Sequence, residues 1–345
     1  MSLLGPAAAQ EPKREDRLKQ LLKRFPDADA NRDGVLTVQE ANTYRAKQGG
    51  PKAGKEAAPV ATIKPTLADV SYGPHGRNVL DFYRAASDSP TPLIVYIHGG
   101  GFVGGSKNSF SPTMLQGALD SKISFASLHY RFVDGEDVIF PAPQHDGARA
   151  VQFLRSKAKE WNIDPERVAC YGGSAGAGIS MWIGFHDDLA DPKSADPVLR
   201  QTTRIRAIGT FGGQAFYDPI KIKELIGGRA WEHPSIFKVH GVKNAEEALN
   251  PTAEQKKLYD EGSAITFLTN DDPPLYMVYS EADGPLPDDA RPGQGIHHPN
   301  FGKLLKREMD ALKIENVYVH TKDARGADIN RQMLEFLLKH LADKK

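Results

Sequence analysis

An α/β fold, with a mostly parallel sheet flanked by helices, is what this sequence predicts, and three observations predict it. From Thr66 onward, short apolar runs alternate with helical patterns, the order that builds a parallel sheet wrapped by helices. One of these runs, 167–171, breaks into the small-residue corner Gly172-Gly-Ser174-Ala-Gly176 and then into a second apolar stretch. Another, 92–98, leads directly into Gly99-Gly100-Gly101-Phe102.

Taken in order, the chain opens with residues 1–10, an apolar, alanine-rich leader expected to be disordered. Its Ala7-Ala8-Ala9 ending suits signal-peptidase cleavage, which slightly favours a secreted or periplasmic location over a cytoplasmic one. Against that, it lacks a basic start and its apolar run is short. Residues 11–48 read as a helix-loop-helix. Leu18, Leu21, Leu22 and Phe25 give the first helix an apolar stripe, and a second helix follows from about Val38.

The loop between these helices fits the EF-hand calcium pattern position by position. Asp29, Asn31 and Asp33 stand at positions 1, 3 and 5, with Gly34 at the sharp turn. Val35 offers its carbonyl, Thr37 stands at position 9, and Glu40 can bind bidentately at position 12. Ca2+ in a structural role is the expected ligand, and a loop that keeps the pattern without being occupied is the alternative. Residues 49–65, rich in Gly, Ala, Pro and Lys, read as a linker.

The large domain spans 66–345. Residues 68–72 and 79–84 flank Gly73-Pro-His-Gly76 as an antiparallel hairpin. Continuous apolar runs at 92–98, 124–129, 167–171, 204–211, 274–280 and 316–321 read as strands covered on both faces. Helical patterns at 111–121, 146–161, 179–190, 301–312 and 330–341 separate them. Residues 212–270 lack this rhythm and read as a cap insertion over the carboxyl edge of the sheet.

Composition removes several classes of partner. Lys plus Arg and Asp plus Glu balance at 44 each, so no net field draws nucleic acid or an anionic membrane. No apolar run approaches the roughly 18 residues of a membrane span. A single cysteine, Cys170, excludes an internal disulfide and a thiolate zinc cluster. The sequence carries no signal of oligomeric state.

The two glycine clusters carry the chemistry. Strand, glycine-lined corner and helix form the context in which G-x-S-x-G acts as a nucleophile elbow. Ser174 would be strained there, and any Cβ at Gly172 or Gly176 would collide with the neighbouring turn. A phosphate-binding glycine loop is the rival, but a dinucleotide fingerprint would be G-x-G-x-x-G near the first strand, and this stretch lies mid-chain. The glycines after His98 leave main-chain N–H groups bare, able to hold a developing oxyanion at about a few kcal/mol per donor.

With both motifs in this order, the chain resembles the hormone-sensitive-lipase-like esterases of the α/β-hydrolase fold. Tyr130-Arg131, Phe140-Pro141-Ala142 and Ile163-Asp-Pro-Glu-Arg167 are further matches. The resemblance covers about residues 66–345 and is strongest over 92–180. It implies Ser174 as nucleophile, the N–H groups of Gly100, Gly101 and Ala175 as oxyanion hole, and His98 as an orienting residue. It implies an acid just after the strand that follows the insertion, where Asp283 fits and Glu281 and Asp288 stand near. The reaction implied is hydrolysis of small acyl or aryl esters through an acyl-enzyme, with no catalytic cofactor.

The family's base breaks the pattern. It usually follows a glycine in the loop after the last strand, and here Gly326 is followed by Ala327, with no histidine between His320 and His340. His297 and His298, in the loop after Asp283, are the substitutes, and His320 would need a shifted register. A serine hydroxyl without an adjacent base is a poor nucleophile. A non-catalytic binding protein on a hydrolase scaffold is therefore the main rival to the esterase. A peptidase of the same fold ranks lower, because no propeller-sized region precedes the domain.

Overall fold

The computed structural model describes residues 63–343, together with 22, 23, 25–29, 35, 36 and 44. The chain divides into two compact units, Met1–Ala61 and Thr62–Lys345. Of the calcium-loop positions, Asn31, Asp33, Thr37 and Glu40 lie outside the described residues, as do the leader and most of the linker.

In the second unit, the strands are β1 (Leu67–Ser71), β2 (Val79–Tyr83), β3 (Thr91–Ile97), β4 (Ser124–Leu128), β5 (Ile163–Gly173), β6 (Ala207–Phe211), β7 (Leu275–Tyr279) and β8 (Asn316–His320). They form one sheet in the order β1-β2-β4-β3-β5-β6-β7-β8. β2 pairs antiparallel with β1 and β4, as the hairpin reading requires, and every other pairing is parallel.

Flanking helices are α1 (Pro112–Asp120), α2 (Ala142–Ser156), α3 (Ala158–Trp161), α4 (Ala175–Phe185), α9 (Asn300–Ala311) and α10 (Ile329–Leu341). Between β6 and β7 come the cap helices α5 (Pro219–Leu225), α6 (Pro234–His240), α7 (Ala245–Leu249) and α8 (Ala253–Glu261).

β3 shows why the central strands read as unbroken apolar runs. Leu93, Val95 and Ile97 pack into one core with Val151 of α2, Ile179 and Ile183 of α4 and Leu305 of α9. Ile94 and Tyr96 point the other way, into a core with Met114 and Leu115 of α1 and Met333 and Leu337 of α10. Successive side chains alternate between faces, and both faces are covered, so apolar residues dominate both, with small hydroxyls such as Thr91, Ser127 and Thr210 the buried exceptions. Cys170 on β5 shares this burial, which pushes its thiol up to about 12 and leaves it a small apolar residue.

Two helices differ from expectation at their starts. α2 opens at Ala142 rather than Asp146, because Pro143 falls in its first turn, where a missing N–H costs nothing. α4 opens at Ala175 rather than Ile179 and ends at Phe185, with His186 already extended. Its first turn is therefore the glycine corner itself, and Ala175, Gly176 and Gly178 are all buried.

The cap helices are short and individually capped. Asp218, Asn244 and Thr252 each accept a main-chain N–H at a helix start, and Thr252 forms a reciprocal box with Gln255. Hydrogen bonds tie the cap to the sheet domain, among them two on the side of α2 and α4. Trp182 Nε1–H of α4 donates to the Glu261 carbonyl at 2.8 Å, and Phe140 N–H donates to the Val239 carbonyl at 2.8 Å.

Strand register brings the candidate residues to one edge. Ile97 pairs with Gly172, Gly173 with Phe211, Phe211 with Val278, and Tyr279 with His320. The segments beginning at His98, Ser174, Gly212 and Ser280 therefore all leave from the carboxyl edge, under the cap.

Candidate active site

Ser174 sits between β5 and α4 at φ 51° and ψ −119°, a conformation costing about 1–3 kcal/mol for a residue with a Cβ. The surroundings hold it there. Its N–H donates to the Phe211 carbonyl at 2.8 Å, and its carbonyl accepts the Gly178 N–H at 3.0 Å. A Cβ on Gly172 would come 2.5 Å from the Ile97 oxygen, and one on Gly176 would collide with the Ile97 and His98 carbonyls. Only glycine lets the corner close this tightly.

The loop after β3 carries three consecutive left-handed residues, Gly100, Gly101 and Phe102, at φ 115°, 60° and 62°. Among the described residues, neither the Gly100 nor the Gly101 N–H donates to a main-chain carbonyl. The Ala175 N–H opens α4 and has no acceptor within the helix. All three residues line one cavity with Ser174.

His98 is fully buried behind this loop. Its Nδ1–H donates to the Gly99 carbonyl at 2.7 Å, and its ring stacks on Tyr130 at 4.4 Å. Burial, reinforced by His129 and Arg77, lowers it to about 4, so the ring stays neutral and fixes the loop.

The imidazole at the serine is His297. Its Nε2 lies 2.8 Å from Ser174 Oγ, and its Nδ1 lies 3.4 Å from Glu281 Oε1. Of the two neighbouring histidines, it alone turns to the cavity. His298 is buried the other way, its Nε2–H donating to the Gly284 carbonyl at 2.9 Å. His320, at the end of β8, donates Nε2–H to the Glu281 carbonyl at 2.8 Å. His145 meets Trp182 edge-on and His186 stands 3.6 Å from Glu261; neither lines the cavity.

The carboxylate at this imidazole is Glu281, not Asp283. Asp283 is engaged by Lys303 at 2.5 Å and Lys322 at 3.5 Å, and Lys303 holds its carboxyl below the usual range. The reason lies in the loop: Glu281 stands two residues past β7, while at Asp283 the chain has already turned towards α9, which carries Lys303. Asp288 lies exposed further along.

The cavity has a volume of about 440 Å³, within the range of small-molecule sites. Phe102, Tyr217, Ile236, Val239 and Ile296 make its walls apolar, and Gln214, His233 and Ser235 are its polar additions. Sequence reasoning missed these last three, because no motif marks them. His233 Nδ1 accepts the Ser235 N–H at 3.2 Å, and burial followed by the nearby His297 lowers its pKa from the usual imidazole value.

Sheet order, elbow conformation and a cap between β6 and β7 are those of an α/β-hydrolase. The BD-FAE family profile matches residues 80–290, more than half of the sequence, and the chain belongs to that family.

Esterase LipQ of Mycobacterium tuberculosis is 24% identical over 229 residues, 64% of this chain and 49% of LipQ. The carboxylic ester hydrolase LipN of the same organism is 27% identical over 208 residues, 57% of this chain and 53% of LipN. The chain spans about half the length of the curated relatives it matches. Among solved structures, a truncated carbohydrate esterase from gut microbiota aligns with a TM-score of 0.62 at 18% identity, covering 82% of this chain and 99% of that one. A thermophilic esterase from Thermogutta terrifontis aligns with 0.56 at 18%, covering 84% and 98%. At that identity the likeness is one of fold. No helix among the described residues is long and apolar enough to cross a membrane.

Proposed function

We propose that the protein is a serine carboxylic ester hydrolase in which Ser174 is the nucleophile, His297 the base and Glu281 the acid. The observation that carries this reading is the 2.8 Å approach of His297 Nε2 to Ser174 Oγ, which supplies the base missing at Ala327. In the proposed cycle, His297 takes the hydroxyl proton as Oγ attacks the ester carbonyl. The N–H groups of Gly100, Gly101 and Ala175 receive the oxyanion, each at about a few kcal/mol. Glu281 steadies the imidazolium, which then protonates the departing alcohol. A water repeats the sequence on the acyl-enzyme and releases the acid. The apolar walls and modest volume favour a small acyl or aryl ester, in line with relatives that carry esterase names.

Labelling with a fluorophosphonate tests the reading directly. Stoichiometric modification of Ser174, absent in Ser174→Ala, together with hydrolysis of small aryl acetates is the expected result. No labelling and no hydrolysis would favour a binding protein on a hydrolase scaffold.

On the sequence pattern of residues 29–40, we further propose that the N-terminal loop takes Ca2+ in a structural role. A cation that binds only the folded loop raises its stability by mass action. The expected result is calcium binding below millimolar concentration, with a higher unfolding midpoint than in chelator. An unchanged midpoint with no calcium bound at millimolar levels ends the proposal.

A further inference from the structure

We propose that Gln214, His298 and His320 are positioning residues that hold Glu281 and His297 against Ser174. The inference rests on the triad proposed above and concerns what makes its unusual placement workable. Both the acid and the base come from the single connection 280–299, whose residues 282–285 are all exposed. A loop of that length fixes an imidazole to within a few tenths of an ångström only if its main chain is tied down.

Three side chains tie it, each by donating to a main-chain carbonyl. Gln214 Nε2–H donates at 2.7 Å to Ile296, the residue just before His297. The Tyr217 hydroxyl donates to Gln214 Oε1 at 3.3 Å, which sets the amide so that its NH2 faces Ile296. His320 Nε2–H donates to Glu281 itself. His298 Nε2–H donates across the loop to Gly284.

The tautomers follow from the remaining bonds. The Lys322 N–H points at His320 Nδ1 at 3.2 Å, and the Asn300 N–H points at His298 Nδ1 at 3.1 Å. Each ring thus accepts on Nδ1 and donates on Nε2, with no nitrogen left to exchange a proton with the serine. All three side chains are buried, so each bond is made away from competing water. A fourth element is passive. The His297 side chain packs on Gly212 (φ 56°), where a Cβ would come 3.2 Å from the His297 Cβ, Cγ and Cδ2 atoms.

The two histidines that the sequence offered as rival bases therefore frame the one that reaches Ser174. A small misplacement of a base can cost on the order of 10²-fold in rate.

The experiment compares four variants on an aryl acetate, with thermal unfolding alongside. Gln214→Met and His320→Leu remove the donors and keep the bulk. His320→Gln keeps a donor at similar reach, and His297→Ala is the reference. The expected result is a fall in kcat of about 10- to 100-fold for Gln214→Met and His320→Leu. KM should stay within about twofold, and the midpoint within a few degrees, with most of the rate restored in His320→Gln. If His320→Leu does not fold, His320→Asn, whose amide is too short to reach Glu281, replaces it.

Wild-type kcat in both donor-free variants overturns the inference, as does a His320→Gln enzyme no faster than His320→Leu. A raised KM with unchanged kcat in Gln214→Met would make Gln214 a substrate contact and overturn its positioning role. If His297→Ala keeps its activity, the triad itself falls. If His297→Ala is dead while the donor-free variants are normal, only the positioning role does.

Discussion

Replacing His297 by alanine is expected to lower kcat for a small aryl ester by about 10⁴-fold or more, with KM little changed. The hydroxyl of Ser174 loses its proton only to an adjacent base, and the imidazole 2.8 Å away is the group placed to take it. In the proposed cycle the same ring returns the proton to the leaving alcohol, so its loss would slow both halves. His298→Ala is the sharp control, because His298 is a chain neighbour whose ring is committed to Gly284. Its effect should be far smaller than that of His297→Ala, acting through loop placement alone. Equal losses in the two variants, or a His297→Ala enzyme within tenfold of wild type, would remove His297 from the mechanism.

Glu281→Ala is expected to cost about 10³-fold or more in kcat, while Asp283→Asn stays within about threefold. Glu281 is the carboxylate facing His297 Nδ1, at a separation of 3.4 Å. Contacts of this kind tighten as positive charge develops on the ring during proton transfer. Asp283 instead joins two lysines at the surface, an arrangement that contributes little in water. Steady-state kinetics on both variants decide the point, and the reverse order of losses would return the acid to Asp283.

Reading the chain before its structure worked where information is local. That Ser174, Gly100, Gly101 and Ala175 meet at one cavity was legible because a strand, a glycine cluster and a helix follow one another within a few residues, and the main chain there has one way to close. The parallel strands were legible for the same reason, each being covered on both faces. Asp283 was expected beside the imidazole and Glu281 stands there instead, because the two lie two residues apart on a turning chain, and what separates them is Lys303 on the next helix. His297 and His298 could not be told apart, since adjacent side chains diverge according to turns at Gly293 and Gly295 that no periodicity encodes. Gln214 left no trace at all, because the role proposed for it lies in one bond to a carbonyl 82 residues away.

In the pattern that the resemblance implied, acid and base arrive on separate connections, and either can drift or be lost alone. In the proposed triad both ride on the single connection 280–299. The distance between them is then a property of one short piece of chain, insulated from slippage between strands. The distance from that piece to Ser174 becomes the one adjustable coordinate of the site. A disturbance of the connection would displace proton acceptor and carboxylate together, so the two would not be lost independently. The connection after β8 carries no histidine, and its main chain meets the site indirectly, through the Lys322 N–H on His320.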